Sequence, residues 1–267
     1  MTAGAAPSKY AFDNNTVEAA NQLRYIGETV DSHTRATLKS IEVTAGWKCW
    51  DVGAGAGTVA QWLAETVGPS GHVLASDLKP QHIPARGNLE TLQHDVRVDP
   101  YPSGGFDLIH ARLLLMHLPA REEIVHRFVS ALKPGGFLVL SDWETEYLDL
   151  VLDSPNEAAT DVFSKFLKIC RAGSPAAGID TRWAPRANSV MRKAGLAEVT
   201  TEIHAGSWAG GTGACLLHRS NTIQLHSRLL GAGFQEEELQ KLREVLLDPS
   251  FVISSHLMFT TVGRLPA

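Results

Sequence analysis

Apolar positions along this chain switch between two spacings, and the switches mark out its elements. Cys49-Trp50-Asp51-Val52 is a short apolar run ending at a glycine cluster, which reads as a buried strand; Val59, Trp62, Leu63 and Val67 then recur at the spacing of one helix face. Gly68-Pro-Ser-Gly71 is a turn, His72 to Ser76 a second strand and Leu89 to His94 a third. Pro80 and Pro84 keep the segment between those strands from being a long helix. Phe106 to His110 is a fourth strand. A helix is predicted to start near Pro119, because proline suits a first turn, Glu122 and Glu123 oppose the positive end of the dipole, and Ile124, Phe128 and Leu132 share one face. Lys133-Pro-Gly-Gly136 stops it, and Phe137 to Ser141 is a fifth strand. Strands alternating with helices or loops at this density predict an α/β fold with a parallel, doubly wound sheet.

The flanks carry weaker patterns. Val17, Ala20, Leu23 and Ile26 predict an amphipathic helix, and Leu38 and Ile41 a second one behind an Asp31-Ser32 cap, both placed to cover the carboxyl edge of the sheet. Asn156 to Arg171, Arg186 to Ala194 and Glu236 to Leu247 read as helices, Glu198 to His204 as a strand and Phe251 to Val262 as extended, the last two strands forming an antiparallel edge. Residues 1–45 are therefore expected to form a helical cap, 46–145 a binding core, and 146–267 the rest of the sheet with helical cap insertions, all within one domain.

Composition narrows the choice of partner. Among 267 residues, 24 Lys+Arg against 29 Asp+Glu give a formal net charge of −5, and no basic run supplies an electrostatic footprint for nucleic acid. A hydrophobic fraction of 44% excludes a disordered chain. Cys49, Cys170 and Cys215 are odd in number, far apart and in no metal-binding spacing, which suggests core cysteines in a reducing compartment. The start of the chain carries no apolar signal segment and no stretch approaches about 18 uninterrupted apolar residues, so a cytoplasmic protein without a membrane span is expected.

Chemistry is concentrated in Asp51-Val-Gly53-Ala54-Gly55-Ala-Gly57-Thr58, at the carboxyl end of the first strand and before the first core helix, where open α/β sheets bind their ligands. A dinucleotide fingerprint needs Gly or Ala at position 58, where this chain has Thr58 and moves a glycine to 57. Close backbone approach without a pyrophosphate clamp suits a nucleoside attached to an amino acid better than NAD. Asp77 ends the second strand, where a carboxylate can accept hydrogen bonds from both ribose hydroxyls; Asp95 follows the third, with Val96 beside it to pack on an adenine ring.

The ordered set Asp51 to Thr58, Ser76-Asp77, His94-Asp95-Val96, Phe106 to Arg112 and Leu132-Lys-Pro-Gly-Gly136 resembles class I S-adenosyl-L-methionine (SAM) dependent methyltransferases over residues 46–143. The likeness is greatest to the small-molecule branch that includes ubiquinone/menaquinone-type and bacterial natural-product enzymes, in which a segment similar to Leu114-Leu-Met-His-Leu-Pro119 follows the fourth strand. The resemblance implies a Rossmann-like sheet of seven strands, the last antiparallel. It also implies that Gly53, Ala54, Gly55, Gly57 and Thr58 run past the methionine part of SAM, that Asp77 with Leu78 holds the ribose side, and that Asp95 and Val96 hold the adenine. The backbone contact to the methionyl amino group maps to His110 or Ala111, and Arg24 is a candidate partner for the methionyl carboxylate. His110-Ala111-Arg112 stands where nucleic-acid amino and glutamine methyltransferases carry an Asn/Asp-Pro-Pro-aromatic motif, which lowers those substrates.

Methyl transfer needs alignment, exclusion of water and, for some acceptors, removal of a proton, so no nucleophilic constellation is required. His110, His117 and Asp142 are the first candidates for a general base, with Glu144 and Tyr147 as further substrate contacts; no metal is predicted. Tyr10, Phe12, Tyr25, Trp183, Trp208 and the 216–230 segment are expected as a cap region, most of its members serving as core, and Gly210-Gly-Thr-Gly213 as a flexible turn or hinge. The expected activity is O-methylation of a small, partly apolar metabolite of secondary metabolism, with N- or C-methylation behind it. An NAD-dependent oxidoreductase and a non-catalytic SAM-binding protein are the alternatives. No nucleic-acid or membrane partner is expected, and a homodimer is the protein partnership considered.

Overall fold

A computed structural model of the chain describes residues 17–84 and 87–267. The central sheet holds β1 (Lys48–Val52), β2 (His72–Asp77), β3 (Leu89–Gln93), β4 (Phe106–Arg112), β5 (Leu132–Glu144), β7 (Ala197–His204) and β10 (Leu257–Arg264), in the order β3-β2-β1-β4-β5-β10-β7. The first five run parallel, and β10 is antiparallel to both of its neighbours, β5 and β7. This is the doubly wound, Rossmann-like sheet of seven strands that the sequence predicts. The order reverses at β1, so β1 and β4 leave between their carboxyl ends the crevice in which such sheets bind ligands. Helices α2 (Thr58–Val67), α3 (Arg121–Ala131) and α5 (Trp183–Lys193) cover the sheet. Trp50, Phe106, Phe128 and Trp183 are fully buried there, each worth roughly 2–3 kcal/mol of transfer free energy.

A second apolar cluster lies outside the sheet. It is built from α4 (Glu157–Gly173), α6 (Gly213–Gln224), α7 (His226–Gly231), α8 (Glu236–Val245) and a three-stranded antiparallel sheet of β6 (Val151–Asp153), β9 (Val252–Ser254) and β8 (Ser207–Ala209). Phe251 to Val262 is therefore not one extended run: it divides at Ser255-His256, with β9 in the small sheet and β10 in the large one. Strands of three residues show no hydrophobic period, which is why the small sheet has no signature in the sequence.

The amino-terminal helices are likewise one element, α1 (Val17–Ser40), of 24 residues. Asp31 caps nothing. It lies inside the helix, where its carboxylate meets Arg35 at 3.5 Å one turn on, Arg112 of β4 at 2.9 Å and the Thr58 hydroxyl at 3.2 Å. The segment 210–213 is not a hinge. Gly210 N donates to Phe251 O and Gly211 N to Leu246 O. A Cβ on Gly210 would stand 2.1 Å from the Asp248 carbonyl and one on Gly213 2.1 Å from the Trp208 ring. These glycines let two backbones and an indole close together. Trp183 is core, donating Nε1–H to Asp142, and Trp208 packs on the second cluster. Tyr10 and Phe12 lie outside the described residues.

Candidate active site

The loop between β1 and α2 is shaped by three glycines with left-handed backbone, Gly53 (φ +68), Gly55 (φ +56) and Gly57 (φ +74). Side chains rarely adopt that region. Gly53 N and Ala54 N both donate to Ser76 O, and Gly55 N donates to Asp77 Oδ2 at 3.0 Å. The other oxygen of Asp77 accepts from Lys79 N at 3.0 Å, so one carboxylate at the end of β2 joins the glycine loop to its own turn. Gly57 differs from the other two. A Cβ there would meet Ile83 Cγ2 at 2.7 Å, and the residue packs at the start of α2 without lining a cavity.

A cavity of about 340 Å³ opens above this loop. Gly53, Ala54, Gly55 and Thr58 line its floor, with Asp77, Leu78, Asp95 and Val96 at one side. Gln22, Leu23 and Ile26 of α1 and Leu217, His218 and Asn221 of α6 form its ceiling, where Gln22 Nε2–H donates to Asn221 Oδ1 at 2.6 Å. In its wall stand Asp51 and His110, neighbours in register on β1 and β4, with His110 Nδ1 2.7 Å from Asp51 Oδ1. Both side chains are buried, and the outer atoms of the pair, Asp51 Oδ2 and His110 Nε2, have no partner among the described residues.

Several expected contacts shift. Asp95 lines the cavity but is held by Arg97, whose Nε–H and Nη2–H donate to both carboxylate oxygens; that guanidinium draws the carboxyl below its ordinary range. Arg24 is not at the cavity. Its side chain is 60% exposed, 3.6 Å from Glu28 and stacked over Tyr25, because its helix position points away from the sheet. The arginine that reaches the cavity from β4 is Arg112, tied to Asp31 and to the Thr34 hydroxyl of α1. Ala111 is buried and outside the lining, whereas its neighbour His110 lines the cavity.

Of the expected catalytic groups, His117 and His110 line the cavity and Asp142 does not. Burial, with Arg121 nearby, pushes the His117 imidazole down to about 4, so it is neutral at physiological pH. Asp142 lies 3% exposed beneath the turn at Leu115–His117, with its Oδ2 accepting from Trp183 Nε1–H at 2.9 Å. Burial drives its carboxyl up to about 7 against the opposing effect of that N–H and of the Met116 and Leu114 amides. Glu144 accepts from the amides of Glu146 and Tyr147, and neither Glu144 nor the exposed Tyr147 lines the cavity. The sequence reading singled out none of Trp143, Thr145, His218 and His256, which all line it, although His218 lies in the 216–230 segment expected as cap. Burial also raises the three free thiols, those of Cys170 and Cys215 to about 12, which leaves them inert as nucleophiles. No group of three or more His, Cys, Asp or Glu among the described residues is placed to hold a metal. Nor is any described helix long and apolar enough to cross a membrane.

Residues 50–138, which carry the loop, the Asp51–His110 pair and β1 to β5, match the methyltransferase domain family. The match places a methyltransferase domain over these residues. Methyltransferase str2 of Strobilurus tenacellus is 36% identical over 109 residues, 39% of this chain and 38% of that protein. The ubiquinone/menaquinone biosynthesis C-methyltransferase UbiE of Pseudomonas putida is 27% identical over 119 residues, 41% of this chain and 46% of that protein. The chain thus spans less than half the length of each. A solved Haemonchus contortus phosphoethanolamine N-methyltransferase 2, in complex with phosphomonomethylethanolamine and S-adenosylhomocysteine (SAH), superposes with a TM-score of 0.60 at 14% identity. That match covers 98% of this chain and 61% of the other, a likeness of fold that extends beyond the methyltransferase domain.

Proposed function

We propose that this protein transfers the methyl group of SAM to a small, partly apolar acceptor by in-line displacement. The observation that carries the reading is one continuous cavity running from the glycine loop and Asp77 to α1 and α6. The residues at the loop end fit SAM. A side chain at Gly53 or Gly55 would crowd Leu114 at 3.1 Å or Leu23 at 3.2 Å, so the bare backbone keeps the room an amino-acid tail requires. The unpartnered Asp51 Oδ2 supplies a buried acceptor for a methionyl ammonium group, and Arg112 is the cation available to its carboxylate. Asp77 retains lone pairs for ribose hydroxyls, and Leu78 and Val96 offer apolar faces to an adenine.

SAM, when bound, supplies a methyl group on a sulfonium centre that an in-line nucleophile can displace. The chain's own contribution is position and dryness: α1 and α6 close the cavity, and the Gln22–Asn221 hydrogen bond ties them together. His110 and His117 are the lining groups placed to hold an acceptor proton. O-methylation ranks first because uncharged polar groups beside apolar surface suit a hydroxyl; similarity to a C-methyltransferase supports carbon as the next choice, with nitrogen beside it. The test is calorimetric titration of the cofactor-stripped protein with SAM, SAH and NAD, then incubation with SAM and a metabolite extract. Micromolar binding of SAM and SAH without NAD, with a product heavier by one methylene unit, is expected. Binding of NAD alone would replace the reading with an oxidoreductase.

A further inference from the structure

Where β5, α6 and the turn between β9 and β10 line the cavity, four buried polar atoms have no partner among the described residues: Trp143 Nε1, Thr145 Oγ1, His218 Nδ1 and His256 Nδ1. Elsewhere in the lining Asp51 Oδ2, His94 Nδ1 and His110 Nε2 are also without one. The four come from the end of β5, from α6 and from the turn between β9 and β10, so three separate segments of chain converge on one place. The rings also order one another. His218 and His256 meet edge to face with centroids 5.6 Å apart, His256 lies 5.9 Å from Trp143, and Phe163 and Phe166 pack edge-on against His218 at 5.3 and 5.7 Å.

Charge is distributed in the opposite way. Five charged residues line the cavity, and each is already engaged: Asp51 by His110, Asp77 by two backbone amides, Asp95 and Arg97 by each other, and Arg112 by Asp31. Buried polar groups in a folded protein are nearly always hydrogen bonded, so four such atoms grouped in a ligand cavity mark donors and acceptors kept for a ligand.

Resting on the methyl-transfer reading, we propose that Trp143, Thr145, His218 and His256 are the acceptor-recognition end of the site. The acceptor is an uncharged, ring-sized apolar molecule bearing hydroxyl or carbonyl oxygens, and the two histidines select against anions. Burial pushes the imidazoles down to about 3 for His218 and about 4 for His256, so both are neutral in the working pH range. A neutral imidazole offers one donor and one acceptor, which a hydroxyl matches on both counts. A carboxylate or phosphate only accepts, and the two cations that line the cavity are committed elsewhere, Arg97 to Asp95 and Arg112 to Asp31 and the methionyl end of SAM, so little offsets its desolvation.

The proposal is tested by titrating the SAH-loaded protein with 2-naphthol and 2-naphthoate, which share a ring system and differ in charge. The phenol should bind at least about tenfold more tightly than the carboxylate. His218→Phe and His256→Gln keep ring size or neutral polarity; the first should bring the two probes within about threefold, and the second should retain the preference, since an amide also both donates and accepts. SAH affinity, unchanged in both variants, shows that they fold. Equal or tighter binding of 2-naphthoate, no binding of 2-naphthol, or an unchanged preference in His218→Phe would overturn the assignment. Failure of the unsubstituted protein to bind SAH would instead remove the methyl-transfer reading on which the proposal rests.

Discussion

Asp51 and His110 face each other across two adjacent parallel strands, Oδ1 and Nδ1 2.7 Å apart and both buried, with one atom on each side chain left without a partner among the described residues. Their registry is fixed by the β1–β4 ladder, which makes the pair a rigid element of the site wall. Asp51→Asn keeps the shape and removes the charge available to a methionyl ammonium. A hydrogen bond between charged groups contributes about 1.5–3 kcal/mol, so SAM affinity should fall roughly ten- to hundredfold, with the thermal midpoint shifting far less. Calorimetry beside thermal unfolding reads both; equal affinity would remove Asp51 from the cofactor contact.

Asp77 holds the loop as well as facing the cavity. Its two oxygens accept from Gly55 N and Lys79 N, so Asp77→Ala frees two amides and opens the turn that aligns the glycines. The expected loss of SAM affinity is on the order of 1.5–3 kcal/mol. Asp77→Asn retains one oxygen acceptor and should lose less. If Asp77→Ala binds SAM within about twofold of the unsubstituted protein, the ribose assignment is wrong.

Gly57 makes a prediction about stability, not affinity. Its left-handed backbone and the 2.7 Å approach of Ile83 Cγ2 leave no room for a methyl group, whereas the nearest contact at Gly53 is 3.1 Å. Gly57→Ala should therefore destabilise by about 1–3 kcal/mol, and Ile83→Ala in the same chain should recover the steric part of that loss. Denaturant unfolding of the two single variants and the double variant measures the coupling.

How much of this was legible in the sequence follows from chain distance. Strand, glycine loop and Asp77 lie within about thirty residues and obey local rules, so the sheet and the cofactor end could be read directly. The acceptor end is assembled from Trp143, His218 and His256, far apart in the chain, and a lone histidine in an apolar stretch carries no sign of its partner. Asp31-Ser32 imitated a helix start because aspartate and serine suit caps; Asp31 instead uses its carboxylate across the fold, to Arg112 and Thr58. Arg24 and Arg112 could not be told apart by type. Only the face of α1 and the strand-end position of β4 decide which guanidinium reaches the cavity.

Arg112 also predicts how the ceiling is fastened. It meets Asp31 at 2.9 Å and the Thr34 hydroxyl at 2.9 Å, both on α1, and its side chain is only 11% exposed. Arg112→Ala should release this helix from β4, increasing amide exchange in residues 20–35 while exchange in β1 and β2 stays unchanged. SAM affinity should fall together with that protection, by about tenfold or more. Arg24→Ala, which removes a guanidinium that meets Glu28 and Tyr25 among the described residues, should alter neither, since an exposed pair of this kind contributes at most about 1 kcal/mol.

Asp142 makes the stability of the fold depend on pH. Its carboxyl titrates near 7 in the folded chain, because burial outweighs the Trp183 N–H and the neighbouring amides, and near 3.9 when unfolded. The folded state therefore holds a proton that the unfolded state has released between about pH 4 and pH 7. Stability from this group is full below about pH 4, declines as pH rises through that window, and is lowest above pH 7, by an amount on the order of a few kcal/mol. Asp142→Asn removes the titration and keeps an oxygen for the Trp183 N–H. The variant should match the unsubstituted protein within about 1 kcal/mol at pH 4.5 and exceed it by about 2–4 kcal/mol at pH 8, in denaturant unfolding at both values. Methyl transfer should persist in the variant, because Asp142 lies beneath the turn that carries His117 and outside the cavity lining. A variant less stable by the same amount at both pH values would mean that the carboxylate is ionised in the folded chain and holds the turn through its charge.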